Sequence, residues 1–342
     1  MTPFPLLTLP IKILQDVVQN LKVNELITLS ILSKRTTILV TPDNFIVDSV
    51  KAKIDNHIAW IRFYMNVEYD QPDGLFVMKL NTNAMGSLKF KYITPCWKAD
   101  RYISNFRTEN DNNEEYTWDY AGSSIGNWIN HLFTVTKSHI DWISFNNINE
   151  IFNLDSMFSI FHHFQNELRM DDNISHNTEL RILEKFQPVK RLKFSLAENN
   201  QQSLHKIFMQ NFDQLVLYDV QNLILDDLLL TNSLSITYSH SNLTCKELNR
   251  FLKLWMRHKA NRRLEHLAFS NFQGFNERSF FKGLNYITLD DEEERIFENK
   301  RFPYSTGFYK IYVYGGFDIM RDDGTRMAIH ACSTDLEFFV WN

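Results

Sequence analysis

A recurring apolar pattern constrains the fold of this 342-residue chain more than any other feature. From residue 140 onward, an apolar residue is repeatedly followed by two more, three and five positions later. Five copies fit in full: Ile140/Ile143/Phe145, Val189/Leu192/Phe194, Phe212/Leu215/Leu217, Leu264/Leu267/Phe269 and Leu284/Ile287/Leu289. Partial copies contain Leu168 with Met170 and Leu234 with Ile236. Successive copies begin 19 to 33 residues apart, which overlaps the roughly 20–29-residue period of leucine-rich repeats.

The segments between the copies predict helices. Leu154, Met157 and Phe161 share one helical face, and Thr244 with Glu247 has the spacing of a capping box. Because one strand–helix unit cannot bury its apolar face alone, stacked units would build a continuous core. We therefore predict an irregular leucine-rich-repeat-like α/β solenoid from about residue 140 to 290. The alternative is an ordinary α/β sheet whose periodicity is coincidental.

The flanking segments predict further strands. Between residues 46 and 97, strands are expected at 58–64 and 75–80, followed by a polar loop over 98–126. Near the C-terminus, glycine and aspartate turn signals separate four short strands, which we interpret as a small antiparallel cap. These strands are Ile311–Tyr314, Asp318–Arg321, Thr325–Ile329 and Leu336–Trp341. The predicted fold class is therefore mixed, α+β or α/β.

The first forty residues predict three short helices. The sequence Leu9-Pro10 precedes Leu14, Val17 and Leu21, which have the spacing of one helical face. A unit of about 40 residues usually needs a metal, a disulfide or a partner for stability. This segment has neither metal-ligand motifs nor cysteines, so it either binds another protein or packs on the rest of its own chain.

The N-terminal segment resembles an F-box of the nematode type. The resemblance is carried by FPLLTLPIKILQDVVQNLKVNELITLSILSKR, residues 4–35. It implies that residues 1–45 bind a Skp-family adaptor and, through it, a cullin–RING ubiquitin ligase. The residues implied in that contact are Leu9, Pro10, Ile13, Leu14 and Val17. The residues implied as either F-box core or interface are Leu21, Leu26 and Leu29.

A second resemblance extends over the rest of the chain. The segments LNRFLKLW (248–255), LEHL (264–267) and GGFDIMRDDGT (315–325) are similar to the type 2 F-box-associated domain of nematode F-box proteins. The resemblance implies that residues 46–342 recruit a protein substrate, without catalysis and without a cofactor. It identifies neither the substrate nor its contact residues.

Composition and motifs argue against several other classes of protein. The net charge of −5 lacks the basic excess of a nucleic-acid binder, and no apolar run is long enough for a membrane helix. The three widely spaced cysteines, Cys96, Cys245 and Cys332, are typical of a reducing intracellular compartment, cytoplasm or nucleus. Metal-ligand motifs are missing, and the pairs His162-His163 and His330/Cys332 are isolated.

Three further motifs have simple interpretations. The segment 122–126 has the Gly-x-Ser-x-Gly pattern of a serine hydrolase, with Ser124 at its centre, but it follows a polar loop instead of a strand. The run of acids at 290–294 indicates a solvent-exposed face. The basic residues at 259–263 lie at the C-terminus of a predicted helix, where the helix dipole favours cations. The leading hypothesis is therefore a substrate-recognition adaptor of an SCF-type (Skp–cullin–F-box) ligase. The alternatives are a repeat-type interaction scaffold without a ligase connection and, third, a hydrolase that uses Ser124.

Overall fold

The computed structural model divides into two compact units, Met1–Phe164 and Gln165–Asn342. The residues that it describes are 8–21, 25–26, 29–30, 33–40, 47–55, 58–65, 74–81, 90–93, 115–118, 125–148, 154–161, 164, 166–171, 173–186, 189–195, 201–219, 223–299, 301, 309–332 and 334–341. The predicted boundary between residues 45 and 46 separates two family resemblances, and it stays a prediction.

The first unit combines short helices with a mixed sheet. Its elements are α1 (Ile11–Gln19), α2 (Lys34–Leu39), β1 (Val47–Ile54), β2 (Ile58–Met65), β3 (Gly74–Asn81), β4 (Phe90–Ile93), β5 (Glu115–Trp118), α3 (Ile125–Thr136), β6 (Trp142–Phe145) and α4 (Leu154–Phe161). The strands are ordered β6-β1-β2-β3-β4-β5, with β6 parallel to β1 and the other neighbours antiparallel. The strands predicted at 58–64 and 75–80 are confirmed as β2 and β3.

The prediction of a polar loop over 98–126 is wrong for residues 115–118, which form β5. Residues 115–118 pair with β4 in antiparallel register, Tyr92 opposite Tyr116 and Phe90 opposite Trp118. Tyr, Thr and Trp favour strands, and the acidic run before them concealed this short segment. Residues 98–114 and 119–124 lie outside the described residues.

The helices near the N-terminus begin where local sequence predicts. Pro10 is the N-cap residue of α1. Ser33 caps α2 through a reciprocal pair, in which the Thr36 N–H donates to Ser33 Oγ at 3.2 Å and the Ser33 N–H donates to Thr36 Oγ1 at 2.8 Å. Between these helices, residues 25–26 and 29–30 have helical backbone.

The second unit begins with alternating strands and helices. In chain order these are β7 (Glu167–Met170), α5 (His176–Lys185), β8 (Arg191–Ser195), α6 (Gln201–Phe208), β9 (Gln214–Tyr218), α7 (Leu225–Leu230), β10 (Ser235–Ser239), α8 (Cys245–Met256), β11 (His266–Ser270) and α9 (Glu277–Phe280). The strands β7 to β11 are parallel and adjacent in sequence order. The molecule is therefore a mixed α/β protein with an open sheet.

The apolar pattern marks the buried rows of this parallel sheet. Four of its second positions lie in one completely buried row, Leu168, Leu192, Leu215 and Leu267, and the second partial copy contributes its third position, Ile236, to that row. Four third positions form the next row, Met170, Phe194, Leu217 and Phe269, and Tyr238, which lies outside the pattern, completes it. Because side chains two positions apart share a face of a strand, both rows lie on the same side of the sheet. The predicted strands of these copies are confirmed.

The prediction that the fifth full copy, Leu284/Ile287/Leu289, belongs to a strand–helix repeat is wrong. Ile287 begins β12 (Ile287–Glu298), which pairs antiparallel with β13 (Lys310–Met320), and its side chain is 66% exposed. No helix follows β12 within the described residues, so the segment does not complete a strand–helix unit. The parallel strands of the second unit therefore end with β11 at Ser270, before residue 290.

Antiparallel strands complete the second unit. After β13 come β14 (Arg326–Ala331) and β15 (Asp335–Trp341), in the order β12-β13-β14-β15-β11. Every neighbouring pair in this series is antiparallel. The predicted strands are present, but Ile311–Tyr314 and Asp318–Arg321 belong to one strand, β13. That strand continues through Gly315-Gly316, where β12 forms a bulge between Leu289 and Glu294.

Gly316 lets β13 approach β14 closely beside this bulge. Its φ is +92°, and a Cβ would lie 2.6 Å from the backbone oxygen of Ile329. Gly324 has the same φ of +92°, but a Cβ there would meet nothing within 4 Å. A side chain in left-handed backbone costs about 1 kcal/mol, and a backbone clash adds roughly 1–3 kcal/mol.

We expect Gly316→Ala to lower the free energy of unfolding by roughly 2–4 kcal/mol, measured by urea denaturation. The matched control Gly324→Ala should lose only about 1 kcal/mol, since it carries the strain of the backbone without the clash. Equal losses in the two variants would contradict the close approach to Ile329.

Candidate protein-interaction surfaces

Helix α1 exposes apolar side chains at its beginning. Ile11 is 55% exposed, Ile13 is 49% exposed, and Pro10 is exposed as well. Leu9 and Val17 are half-buried. Exposed apolar residues this close together in sequence form a candidate docking surface for another protein. We call Pro10, Ile11 and Ile13 the α1 surface.

Leu14, which is predicted to lie in the same contact, is buried. Its side chain is 0% exposed, so the isolated chain offers none of its surface to a partner. Leu26 and Leu29 are also buried, which places them in the interior of the unit, and Leu21 is half-buried. The prediction that Leu9, Pro10, Ile13 and Val17 contact a partner stays a prediction.

Two exposed isoleucines of this region are not among the predicted contact residues. Ile11 has the helical spacing of the buried Leu14 and Val18, yet its side chain is exposed, and Ile38 on α2 is exposed to an even greater extent. Helical spacing alone gave no signal for Ile11, because what packs against the first turn of a helix is decided by the tertiary structure.

The N-terminal helical region is also tied to its own chain. Ser30 is buried, and its Oγ lies 2.9 Å from Nε2 of His131 on α3. Burial lowers the pKa of His131, which favours the neutral imidazole at this contact. Packing on the same chain and an exposed α1 surface therefore occur together.

A row of polar side chains lies at the carboxyl ends of the parallel strands in the second unit. Asp219, His240 and Asn271 follow β9, β10 and β11 directly, and each has a left-handed backbone with φ between 53° and 59°. His240 Nδ1 lies 3.1 Å from Asp219 Oδ1, and Asn271 Nδ2 lies 3.2 Å from His240 Nε2. These contacts are consistent with an Nδ1–H tautomer that donates to Asp219 and accepts from Asn271.

This polar row borders a cleft of about 620 Å³ that also includes Thr244 and Cys245 at the start of α8. The Cys245 thiol is buried, donates to the Gly274 carbonyl oxygen and accepts from the Asn276 N–H, at 3.4 Å each. A buried thiol held in two hydrogen bonds is a structural group, not an accessible nucleophile. The cleft therefore offers a ligand polar groups such as the side chains of His240 and Asn271, but no accessible thiol.

An ion-pair cluster links the first two strands of this unit. The buried Glu167 carboxylate pairs with Arg169 and lies 3.3 Å from both Arg191 Nε and Lys193 Nζ. Burial alone would raise the pKa of Glu167, but the three cations hold it below its usual value. Because each cation is at least partly covered, the cluster is a structural feature of the sheet that sequence pattern alone did not indicate.

His266 and Glu337 are titratable groups on adjacent strands. Their Nε2 and Oε1 atoms are 4.0 Å apart, and Ser235 Oγ lies 3.2 Å from His266 Nδ1. Complete burial lowers the pKa of His266 to about 3. Burial, with repulsion from Asp335, raises the pKa of Glu337 to about 7 from an ordinary value of 4.5. At neutral pH the histidine is therefore neutral, and the carboxyl keeps its proton to a higher pH than an ordinary glutamate does.

We expect Glu337→Gln to gain stability relative to the wild-type protein as the pH rises. A raised folded-state pKa stabilises the fold below pH 4.5, and this contribution is lost as the pH rises through about 7. Glutamine stays neutral, so its relative gain between pH 5 and pH 8 should be on the order of 1–3 kcal/mol, measured by urea unfolding across that range. The exposed control Glu298→Gln should show no such slope. A pH-independent difference for Glu337→Gln would contradict the raised pKa.

The candidate catalytic residues gain no support among the described residues. Ser124, Cys96 and the pair His162-His163 lie outside the described residues. A strand, β5, does precede Ser124, contrary to the sequence interpretation, but six residues separate it from α3. Cys332 Sγ is 3.4 Å from His330 Nδ1, and burial with the nearby acids raises the thiol pKa, which disfavours the thiolate. In the described ranges, no group of three or more His, Cys, Asp or Glu side chains could hold a metal ion.

The comparisons with known proteins give one family match. Residues 203–269 match the model of a family described as F-box associated. This segment runs from within α6 through β9, α7, β10 and α8 to β11, and it covers about a fifth of the chain. Comparison with curated proteins and with solved structures gives no match. None of the helices in the described ranges has the length and apolar character needed to cross a bilayer.

Proposed function

We propose that this chain is the substrate-recognition adaptor of an SCF-type ubiquitin ligase. In this proposal, residues 1–45 form a three-helix F-box of the nematode type that binds a Skp-family adaptor. The strand–helix series from β7 to β11 forms a short leucine-rich-repeat-like solenoid, and the second unit, which contains this series, holds a target protein. The single observation that carries the proposal is the similarity of residues 203–269 to the F-box associated family.

The α1 surface supports the attachment step. Pro10, Ile11 and Ile13 leave apolar area exposed at the start of the helix, and burial of such area is the main favourable contribution to protein association. Of the five residues predicted to contact the adaptor, Pro10 and Ile13 lie in this surface, Leu9 and Val17 are half-buried, and Leu14 is buried.

The chemistry of such an adaptor is proximity. A target held beside a recruited ubiquitin-conjugating enzyme presents its lysines at a raised effective concentration, and no bond is made or broken by the adaptor itself. This role requires no catalytic residue, metal or cofactor in the chain. It places the protein inside the cell, in the cytoplasm or the nucleus.

The direct test is binding of the full-length chain to a purified Skp-family adaptor, detected by co-elution in size-exclusion chromatography. Co-elution at equal stoichiometry is expected. Affinity purification under proteasome inhibition, followed by mass spectrometry, should then recover cullin and RING subunits. Failure of the folded chain to bind the adaptor would refute the ligase connection.

The second candidate function is an interaction scaffold without a ligase connection. The contact between Ser30 and His131 favours it, because it shows that the N-terminal region packs on its own chain. In that case the chain should capture target proteins while the Skp-family adaptor elutes separately.

A further inference from the structure

The hairpin of β12 and β13 exposes a face of aromatic and aliphatic side chains. Tyr312, Tyr314 and Ile296 are each at least half exposed. In the strand register, Ile296 lies opposite Tyr312 and Glu294 lies opposite Tyr314. The Tyr314 hydroxyl donates to Glu294 Oε2 at 2.6 Å, which orients this ring on the face. We call Glu294, Ile296, Tyr312 and Tyr314 the hairpin face.

The inner face of the same hairpin is packed, so the exposure of the outer face is not a sign of a loose segment. Phe297 stacks on Phe339 with ring centroids 4.6 Å apart. Arg295 pairs with Asp318 and donates to the Gly315 carbonyl oxygen. Val313 is buried. The packed inner face therefore holds the hairpin in place, and the outer face is exposed on a well-packed element.

The backbone of β12 is also accessible in a specific way. Among the described strands, β12 is the outermost of its sheet, with β13 on one side and no described strand on the other. β12 is irregular between Leu289 and Glu294, but its regular segment Glu294–Glu298 has edge N–H and C=O groups that can pair with an extended segment of another protein.

The charges around this edge indicate which kind of protein segment can pair with β12. Six carboxylates of β12 are exposed: Asp290, Asp291, Glu292, Glu293, Glu294 and Glu298. The exposed cation on the paired strand is Lys310, whose Nζ lies 5.2 Å from the centroid of the Tyr312 ring. A second copy of this chain would place like charges opposite each other, which disfavours self-pairing. A basic segment would instead meet carboxylates for its charges and tyrosine rings for cation–π contacts.

We infer that the hairpin face and the β12 edge bind an extended, lysine- or arginine-rich segment of a partner protein, added as a further strand beside β12. Identifying that segment as part of a ubiquitination target rests on the proposed function. The binding itself does not depend on the N-terminal adaptor contact.

The test is fluorescence anisotropy of the full-length chain with a labelled ten-residue peptide of alternating lysine and valine. In an extended conformation all its lysines share one face. We expect this peptide to bind and to weaken at higher salt as exposed charges are screened. A peptide with glutamate in place of lysine should bind at least tenfold more weakly.

Two variants locate the binding surface by independent means. Glu292→Lys with Glu293→Lys should weaken binding at least about tenfold, and Tyr312→Ser with Tyr314→Ser should weaken it about fivefold or more. The matched control reverses two exposed acids on helices of the same unit, Glu184→Lys with Asp226→Lys, and should change binding less than twofold. All three double variants should keep the wild-type melting temperature, because their side chains are exposed.

Three results would overturn this inference. They are absence of binding by the lysine peptide, equal binding of the glutamate peptide, or equal losses in the control and the Glu292/Glu293 variant. A dimer in sedimentation equilibrium that is lost on Ile296→Asp would also overturn it, in favour of a second copy as occupant. The α1 variant Ile11→Asp/Ile13→Asp should leave peptide binding unchanged, so a failure of the ligase proposal is distinguishable from a failure of this one.

Discussion

Replacing Ile11 and Ile13 together by aspartate should weaken binding of the full-length chain to the Skp-family adaptor by at least about a hundredfold. Both side chains are about half exposed, so the substitutions leave the core intact. In an apolar contact, each aspartate would bring an unpaired charge out of water while also removing the apolar area of an isoleucine. Truncating an anchor residue typically costs about 2 kcal/mol or more, which is about thirtyfold in affinity.

The measurement is isothermal titration calorimetry against the purified adaptor, with circular dichroism to check the fold. The matched control is Gln15→Asp with Gln19→Asp, which adds the same charge to exposed positions of the same helix. It should change affinity only a few-fold. Unchanged adaptor binding by a folded Ile11/Ile13 variant would show that α1 is not the attachment surface.

Leu14→Ala is a poorer test of the same idea. Because Leu14 is completely buried, its truncation should lower the free energy of unfolding by roughly 2–5 kcal/mol. A loss of adaptor binding could then reflect unfolding of the N-terminal helices. The exposed isoleucines separate binding from stability.

Trp255→Ala should lower the free energy of unfolding of the second unit by roughly 3–5 kcal/mol. Trp255 ends the buried face of α8 and is among the largest completely buried side chains. The Arg321 guanidinium lies over its ring at 5.0 Å, and the backbone N–H of Asp322 donates to the Met256 carbonyl oxygen. The truncation would therefore leave a cavity where α8 meets the turn between β13 and β14.

Trp255→Phe provides the matched comparison. The indole Nε1 is buried without a hydrogen-bond partner, so phenylalanine keeps most of the packing and removes an unsatisfied donor. Its loss should stay below about 2 kcal/mol, measured with the alanine variant by urea denaturation. A loss for Trp255→Ala of less than about 1 kcal/mol would contradict the packing role of the ring.

The amino-acid sequence predicted the local units well where apolar spacing was regular. Leu192 with Phe194 and Leu215 with Leu217 lie on buried strand faces as expected, and the Thr244–Glu247 capping box begins α8 as its spacing indicated. The same spacing at Leu284, Ile287 and Leu289 was misleading. A short pattern defines which residues share a face, but it does not define whether another element covers that face.

Side-chain contacts between distant residues could not be predicted in this way. Asp219, His240 and Asn271 are each about 20 to 30 residues from the next, and only the parallel register of β9, β10 and β11 brings them into one row. The Glu167 cluster likewise depends on the pairing of β7 with β8.

By itself, the sequence determined the alternation of strands and helices in the second unit, because periods of 2 and 3.6 residues are local properties of the backbone. Tertiary structure alone decided which apolar residues stay accessible. On α1 it buried Leu14 and left Ile13 exposed, and at the C-terminal sheet it left β12 on the edge, with Tyr312 and Tyr314 of the paired strand facing water. The reason is physical: exposure depends on what packs against a residue, and those neighbours lie far away along the chain.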